Sequence, residues 1–213
     1  MRLGAVLLDL FFPPHCAFCA RGGISGICPK CRARLPKREK PLCKGAGYGK
    51  CAIPLYYEDF VRSGVIRYKF SGARSASEAY GKLLAECVAE ELSGEFDLIT
   101  WVPISRRRRR ERGYDQGELL AREMASVWQE EPIALLHKKR NNPPQARSRD
   151  AAFRRANVLG VYEAIKTDMI KDGRILLVDD ILTTGATMAE CARVLKDAGA
   201  KQIVCAALAT PRD

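Results

Sequence analysis

The sequence ILLVDDILTTGAT at residues 175–187 predicts a buried strand that runs directly into a phosphate-binding turn. Its first four residues are apolar and follow a turn at Asp172 and Gly173, a pattern typical of a parallel-sheet strand covered on both faces. Residues 183–187 combine threonines with a glycine just before a helix expected over residues 188–198. A helix N-terminus offers unpaired backbone N–H groups and a positive dipole, so this turn is suited to an anion.

Two carboxylates mark the end of this strand and extend the predicted site. Ionised carboxylates only accept hydrogen bonds, so Asp179 and Asp180 suit the cis-diol of a sugar. The threonine hydroxyls can donate to a phosphate about one sugar's length away. The pattern therefore predicts a sugar-phosphate site formed by Asp179, Asp180, Thr183, Thr184, Gly185, Ala186 and Thr187. A core strand that merely ends in a polar turn is the alternative without function.

A Walker B strand of an ATPase is a second alternative, because it too places acidic residues after an apolar run. Such a strand needs a P-loop elsewhere in the chain, and residues 45–51 are the candidate. Lys44 stands where the first glycine of a P-loop belongs, and Cys51 stands where a Ser or Thr would bind magnesium. The ATPase interpretation is excluded on that ground.

The stretch 175–187 resembles, at every position, the signature of type I phosphoribosyltransferases, which bind 5-phosphoribosyl-1-pyrophosphate (PRPP). The resemblance implies an α/β fold with a parallel sheet flanked by helices, and PRPP held together with Mg²⁺. Residues 98–102 predict another strand of that sheet, ending before Pro103. By the same resemblance the next loop, with Ile104, Ser105 and Arg106, approaches the pyrophosphate.

Arginine fills residues 106–110 and recurs at Arg112. A guanidinium group binds two phosphate oxygens at once and stays charged, so it suits a pyrophosphate. Six arginines exceed what one pyrophosphate requires. The surplus is either a solvated helix face or a track for a nucleic-acid backbone, and the sequence leaves both open.

Two Cys-x-x-Cys pairs near the start of the chain predict a metal site. Eight residues separate the pairs, and Gly22, Gly23 and Gly26 among them permit a tight reversal. Four thiolates in tetrahedral geometry favour structural zinc over iron and leave no open position for catalysis. The predicted ligands are Cys16, Cys19, Cys28 and Cys31. Cys43 and Cys51 lack such partners and are either free thiols or part of a reduced second site.

The distribution of charged and apolar residues indicates the kind of partner and the location of the protein. Residues 1–52 hold ten Lys and Arg against two Asp and Glu, and residues 103–155 hold fourteen against seven, within a net charge of +11. Such segments suit polyanions, although they are also common as solvated surface. The apolar run after Arg2 is interrupted by Asp9 and predicts an amphipathic helix rather than a secretion signal. We therefore expect a cytoplasmic protein.

The order of these parts resembles the ComF/GntX family of competence-associated phosphoribosyltransferase-like proteins over nearly the whole chain. The matching segments are residues 7–14, 67–72, 102–116, 142–145 and 154–158. Many relatives carry a second set of paired cysteines that is absent here. The resemblance implies a mobile loop over PRPP that contains Gln145. Arg112 and Arg155 are further candidates for contact with the phosphates, although Arg155 equally suits a strand cap.

We therefore predict a zinc-knuckle module at residues 1–52 and a type I phosphoribosyltransferase-like domain at residues 53–213. The resemblance implies PRPP binding and a part in DNA uptake, with single-stranded DNA and other competence proteins as partners. The alternative is an active phosphoribosyltransferase that joins PRPP to an unidentified base or amine. No sequence feature names that acceptor.

Overall fold

The computed structural model of the protein describes residues 14–45, 47–70, 74–140 and 158–212. The predicted N-terminal helix, the loop around Gln145 and the residue Arg155 lie outside these ranges. None of the helices within them is long and apolar enough to cross a membrane.

The first part of the chain carries little regular structure before it joins a sheet. Helix α1 (Pro29–Ala33) begins at the second cysteine pair, where the Cys28 side chain accepts a hydrogen bond from the Cys31 N–H. An antiparallel hairpin follows, formed by β1 (Leu42–Gly45) and β2 (Tyr48–Ala52). The short strand β3 (Leu55–Tyr56) then leads into helix α2 (Asp59–Phe70).

The remaining elements are a mixture of helices and strands. Helix α3 (Ser77–Glu91) precedes β4 (Leu98–Trp101), α4 (Arg106–Arg112) and α5 (Gln116–Ala125). A small antiparallel pair, β5 (Leu136–Lys138) with β6 (Tyr162–Ala164), comes next with the one-turn helix α6 (Thr167–Ile170). The chain ends with β7 (Arg174–Ile181), α7 (Ala186–Asp197) and β8 (Gln202–Thr210).

The main sheet has the strand order β1-β2-β8-β7-β4, and β3 also pairs with β8. All pairings are parallel except the β1–β2 hairpin. Strand β2 ends at residue 52 and pairs with β8, so strands on both sides of the predicted domain division belong to one sheet. The division itself stays a prediction.

Both faces of the sheet are covered, as the apolar run of β7 predicted. Leu176 and Val178 face a core built by α2, α3 and α5, whereas Ile175 and Leu177 face a second core built by α7 and the β5–β6 pair. Successive side chains of a strand point to opposite faces, so a strand between two cores must be apolar throughout. The fold is thus an α/β sheet, mostly parallel and flanked by helices, as predicted.

The cysteine module packs against the first of these cores. Phe18 is fully buried, with its ring 5.8 Å from that of Phe60 and 5.2 Å from that of Tyr80. The Tyr80 hydroxyl donates to the Ala17 carbonyl at 2.8 Å. Gly64 leaves room for this contact, because a Cβ there would lie 2.9 Å from the same carbonyl oxygen. Helix α2 therefore joins the module to the sheet domain.

Candidate functional site

The carboxyl edge of the sheet brings the strand-end residues of β7 and β4 together, as expected for a parallel sheet. Asp179 and Asp180 lie near the end of β7, and the Asp180 backbone N–H donates to Asp179 Oδ1 at 2.8 Å. Burial raises the pKa of the Asp179 carboxyl to about 8, and the charge of Asp180 adds to this while Lys69 opposes it. Two adjacent carboxylates in a buried setting repel each other and favour a ligand that donates hydrogen bonds.

Asp180 has a partner that the sequence analysis missed. Lys69, on the last turn of α2, places Nζ 2.8 Å from Asp180 Oδ1, and their side chains are 21% and 5% exposed. The second oxygen, Oδ2, is buried and accepts no hydrogen bond from any described residue. Buried acceptors are almost always satisfied, so Oδ2 marks a place for a donor from outside the described chain.

The predicted phosphate turn lies between β7 and α7. Gly185 caps the helix with a φ of 72°, a left-handed conformation that favours glycine. A Cβ on Gly185 would lie 2.8 Å from the hydroxyl oxygen of Tyr48, so this side chain of the β1–β2 hairpin closes one side of the turn. Thr183 and Thr184 are exposed, and Thr187 is half-buried. The turn is therefore open to a ligand on the side away from Tyr48.

The loop after β4 is shaped by buried polar groups. Ser105 is 3% exposed and caps α4, where its hydroxyl oxygen accepts from the Arg108 N–H at 3.3 Å. Asp115 caps α5 through Gly117 N–H at 3.0 Å and also accepts from the Ile104 N–H at 3.0 Å. Asp115 thus fixes the position of Ile104, a structural role for the central motif that the sequence did not reveal.

The arginine run forms helix α4, which has no buried residue. Arg106 is exposed beside the loop, whereas Arg107 pairs with Glu111 at 2.7 Å and Arg109 with Glu118 at 3.1 Å. Arg112 turns inward, with Nη1 donating to Gln116 Oε1 at 2.6 Å. The structure places Ile104, Ser105, Arg106 and Arg112 on this side of the sheet. Their contact with a ligand stays a prediction, as does that of Gln145 and Arg155, which are not described.

A lysine on the small β5–β6 sheet is a further group that the sequence analysis missed. Lys138 Nζ donates to the Tyr162 hydroxyl at 3.1 Å and lies 5.0 Å from the centre of its ring. Burial lowers the pKa of Lys138 to about 8, and the positive charge of Arg108 adds to this effect. Asp179 opposes it, which places Lys138 within electrostatic reach of the strand-end carboxylates.

The four predicted metal ligands converge. The sulfur atoms of Cys16, Cys19, Cys28 and Cys31 all lie within 4.8 Å of one another. A tetrahedron with Zn–S bonds of about 2.3 Å has sulfur separations of about 3.8 Å, and Cys19 Sγ lies 3.7 Å from Cys28 Sγ. Burial raises the pKa of Cys16, but backbone N–H groups outweigh it and bring that pKa to about 6. The set fits a structural zinc ion.

The remaining cysteines and cavities are less informative. Cys43 faces Cys51 across the hairpin, and Cys51 also pairs in register with Cys205. Cys87, Cys191 and Cys205 are buried. A cavity of about 460 Å³ lies between Phe96 and Trp128. It includes Leu98, at the amino end of β4. In a parallel sheet that edge is opposite to the one that holds Asp179, so we place the site at the carboxyl edge.

The chain matches two domain families and is similar to several named proteins. Residues 114–213 match the phosphoribosyl transferase domain, and residues 7–62 match the double zinc ribbon domain. Competence protein ComFC of Streptococcus pneumoniae is 30% identical over 190 residues, which cover 89% of this chain and 77% of that protein.

Two further relatives are similar over most of the chain. DNA utilization protein YhgH of Escherichia coli K12 is 28% identical over 83% of this chain and 74% of its own length. Adenine phosphoribosyltransferase of Treponema denticola is 25% identical over 68% of this chain and 69% of its own length. The N-terminal zinc ribbon and the C-terminal phosphoribosyl transferase match occur in the order that the sequence predicted.

Proposed function

We propose, for a chain that belongs to the ComF family of competence proteins, that it binds PRPP at the carboxyl edge of its sheet and handles single-stranded DNA during DNA uptake. The membership rests on 30% identity to ComFC across 89% of the chain. The names of two relatives refer to competence and to DNA utilization, which supports the DNA role. We propose that it acts in the cytoplasm, because paired cysteines that bind metal suit a reducing compartment.

Asp180 Oδ2 is the observation that carries the PRPP assignment. It is a buried carboxylate oxygen without a described donor, at the end of β7 and next to Asp179. A ribose diol would supply two hydroxyl donors to this pair of carboxylates. The 5-phosphate would then lie in the turn at residues 183–187, against the N-terminus of α7.

The pyrophosphate of PRPP would extend toward the loop after β4. There Ile104 and Ser105 are held by Asp115 and by the start of α4, and Arg106 is exposed to solvent beside them. A guanidinium group can bind two oxygens of a diphosphate at once. A Mg²⁺ ion chelated by PRPP itself would neutralise part of the pyrophosphate charge.

The DNA role is supported by the charge on α4. Four arginines of this helix are exposed: Arg106, Arg107, Arg109 and Arg110. Phosphate contacts of Lys and Arg supply most of the affinity of non-specific nucleic-acid binding. Helix α4 begins right after the pyrophosphate loop, so a bound strand would pass close to the PRPP site.

Calorimetric titration with PRPP and Mg²⁺ tests the central part of the proposal. Asp180→Asn and Thr187→Ala should each weaken PRPP binding by about 10- to 150-fold, because each loses a hydrogen bond to a charged group. Thr167→Ala is the matched control, since Thr167 is an exposed threonine at the start of a helix outside the site. Equal PRPP affinity in all three variants would remove the ribose-phosphate assignment.

Catalytic transfer is the second candidate. The similarity to an adenine phosphoribosyltransferase over 68% of the chain supports it. Lys138 and Tyr162 also stand on the small sheet near Asp179, where an acceptor could approach. Release of pyrophosphate from PRPP in the presence of a panel of bases and amines would establish turnover. Tight PRPP binding without release on any of them would leave a binding protein.

A further inference from the structure

One aromatic side chain beside the candidate PRPP site, that of Phe70, is exposed to solvent. The Phe70 ring, at the end of α2, is 68% exposed, whereas Tyr68 and Tyr80 of the same core are fully buried. A phenylalanine left exposed gives up most of the free energy that burial would provide. A scattered exposed apolar residue needs no explanation by itself, so the surroundings of Phe70 decide whether it has a role.

The Phe70 ring is stacked on a fixed arginine. The guanidinium carbon of Arg112 lies 4.6 Å from the centre of the ring, in the range of a cation–π contact. Arg112 is held in turn by Gln116 Oε1 at 2.6 Å. The end of α2 is tied to the same region, because the Tyr68 hydroxyl donates to the Gln116 carbonyl at 2.8 Å and the Tyr114 hydroxyl donates to the Tyr68 carbonyl. The pair is therefore pre-organised and does not need to be ordered by a ligand.

The neighbouring charges identify the kind of ligand. Lys69, next to Phe70 in the chain, is paired with Asp180. Helix α4, which carries the arginine run, contacts the Phe70 ring through Arg112. A protein partner with an apolar surface would have to bury the charged arginines of α4 that border this ring, which is costly. A nucleobase carries a flat aromatic face for the ring and, in a polynucleotide, phosphates for the arginines.

We propose that Phe70 and Arg112 form a stacking platform for one nucleobase at the mouth of the PRPP site. The base stacks on the part of the Phe70 ring that Arg112 leaves open. It comes either from a single strand whose phosphates follow α4 or from a free base that approaches the site. The proposal deepens the proposed function and rests on the DNA and PRPP roles described above.

The test compares Phe70 variants of the full-length, zinc-loaded protein on two strands. One is an oligothymidylate of 20 nucleotides, and the other is an abasic strand with the same number of phosphates. Phe70→Leu should weaken binding of the oligothymidylate by about 5- to 150-fold, the range that loss of one stacked aromatic gives. Phe70→Trp should retain it. The dependence of affinity on salt should keep its slope, because no phosphate contact is lost.

Two controls make the result specific. Val127→Ala removes another exposed apolar group, 50% exposed on the segment after α5, and should not change binding of either strand. The abasic strand should bind equally to the wild type and to Phe70→Leu. A second arm titrates free adenine and thymine in the presence of PRPP and Mg²⁺. If Phe70→Leu loses affinity for the free bases but binds the oligothymidylate as the wild type does, the platform belongs to a free base.

The outcomes separate the platform from the proposed function. Equal binding by Phe70→Leu and the wild type, for the base-bearing strand and the free bases alike, would overturn the platform while DNA binding stands. A wild type that binds neither strand and no free base would overturn both the platform and the DNA role. PRPP binding by the wild type is measured separately and decides the PRPP assignment independently.

Discussion

Lys69 Nζ lies 2.8 Å from Asp180 Oδ1 and joins the end of α2 to the end of β7. The same helix contacts the cysteine module, because Phe60 packs on Phe18 and the Arg67 guanidinium donates to the Phe18 carbonyl. Helix α2 thus contacts the cysteine module through Phe60 and Arg67, and its last turn contacts the strand-end carboxylate of Asp180. The zinc site is structural in this arrangement and also supports an element of the candidate PRPP site.

Lys69→Met should destabilise the fold, because it leaves the Asp180 carboxylate buried without a counter-charge. We expect a loss of about 1–3 kcal/mol, less than for a fully buried pair because Lys69 is 21% exposed. Urea unfolding measures this loss. Lys82→Met is the control, since Lys82 pairs with Glu78 at the surface and should have little effect. The double variant Lys69→Met/Asp180→Asn should recover part of the loss; equal effects of Lys69→Met and Lys82→Met would contradict the prediction.

Asp179→Asn should stabilise the protein more at pH 8 than at pH 5. Burial raises the pKa of Asp179 to about 8, so its stability contribution is fully present below the unfolded pKa and is lost as pH rises toward 8. The expected difference between the two pH values is about 1–3 kcal/mol, because water at the half-buried side chain reduces the full linkage value. Chemical unfolding of both proteins at each pH measures it. A stabilisation that does not change with pH would show that Asp179 is already ionised near pH 5.

The cysteine module should hold one zinc ion per chain. Cys28→Ser should lose the metal and lower the thermal midpoint, because Phe18 is held against α2 and α3 by a segment with little core of its own. Cys43→Ser is the matched control and should retain zinc, since Cys43 does not belong to the converging set. Elemental analysis of protein purified without chelator decides the metal. Iron in place of zinc, or two zinc ions per chain, would contradict the assignment.

Gly185→Ala should disrupt the phosphate turn. Alanine at a φ of 72° costs about 1–2 kcal/mol in backbone strain, and its Cβ would lie 2.8 Å from the Tyr48 hydroxyl oxygen. Gly94→Ala separates the two effects, because Gly94 has a φ of 71° and nothing within 4 Å of the added Cβ. Both variants should lose stability, and only Gly185→Ala should also lose PRPP affinity. Unfolding and PRPP titration measure the two effects, and unchanged PRPP affinity in Gly185→Ala would contradict the role of this turn.

Neutralising residues 107–110 together should weaken binding of single-stranded DNA and flatten its salt dependence. Each lost phosphate contact should reduce the log–log salt slope by roughly 0.7. PRPP affinity should change much less, because the turn at residues 183–187 and Arg106 are untouched. Titrations of both ligands at several salt concentrations provide the test. Arg107 and Arg109 already pair with Glu111 and Glu118. We therefore expect the slope to change by less than the loss of four phosphate contacts would produce.

Local patterns in the sequence were sufficient for the strand, turn and helix that define the site. The predicted strand and helix are observed as β7 and α7, because apolar periodicity and a capping glycine act between residues close together in the chain. The cysteine set also converges as predicted, since two short knuckles with glycines between them need little chain to meet. Helix α7 begins two residues earlier than predicted, at Ala186, because Gly185 caps it.

The sequence by itself determined which segments form the strands, the phosphate turn and the metal ligands, because these depend on neighbours along the chain. Only the tertiary structure decided that Lys69 pairs with Asp180, that Tyr48 closes the turn at Gly185, and that Phe70 stays exposed on Arg112. Each of these contacts joins segments far apart in sequence. They form because parallel strand pairing aligns the carboxyl ends of β7 and β4 and packs α2 and the β1–β2 hairpin around them, and no local pattern of residues encodes that arrangement.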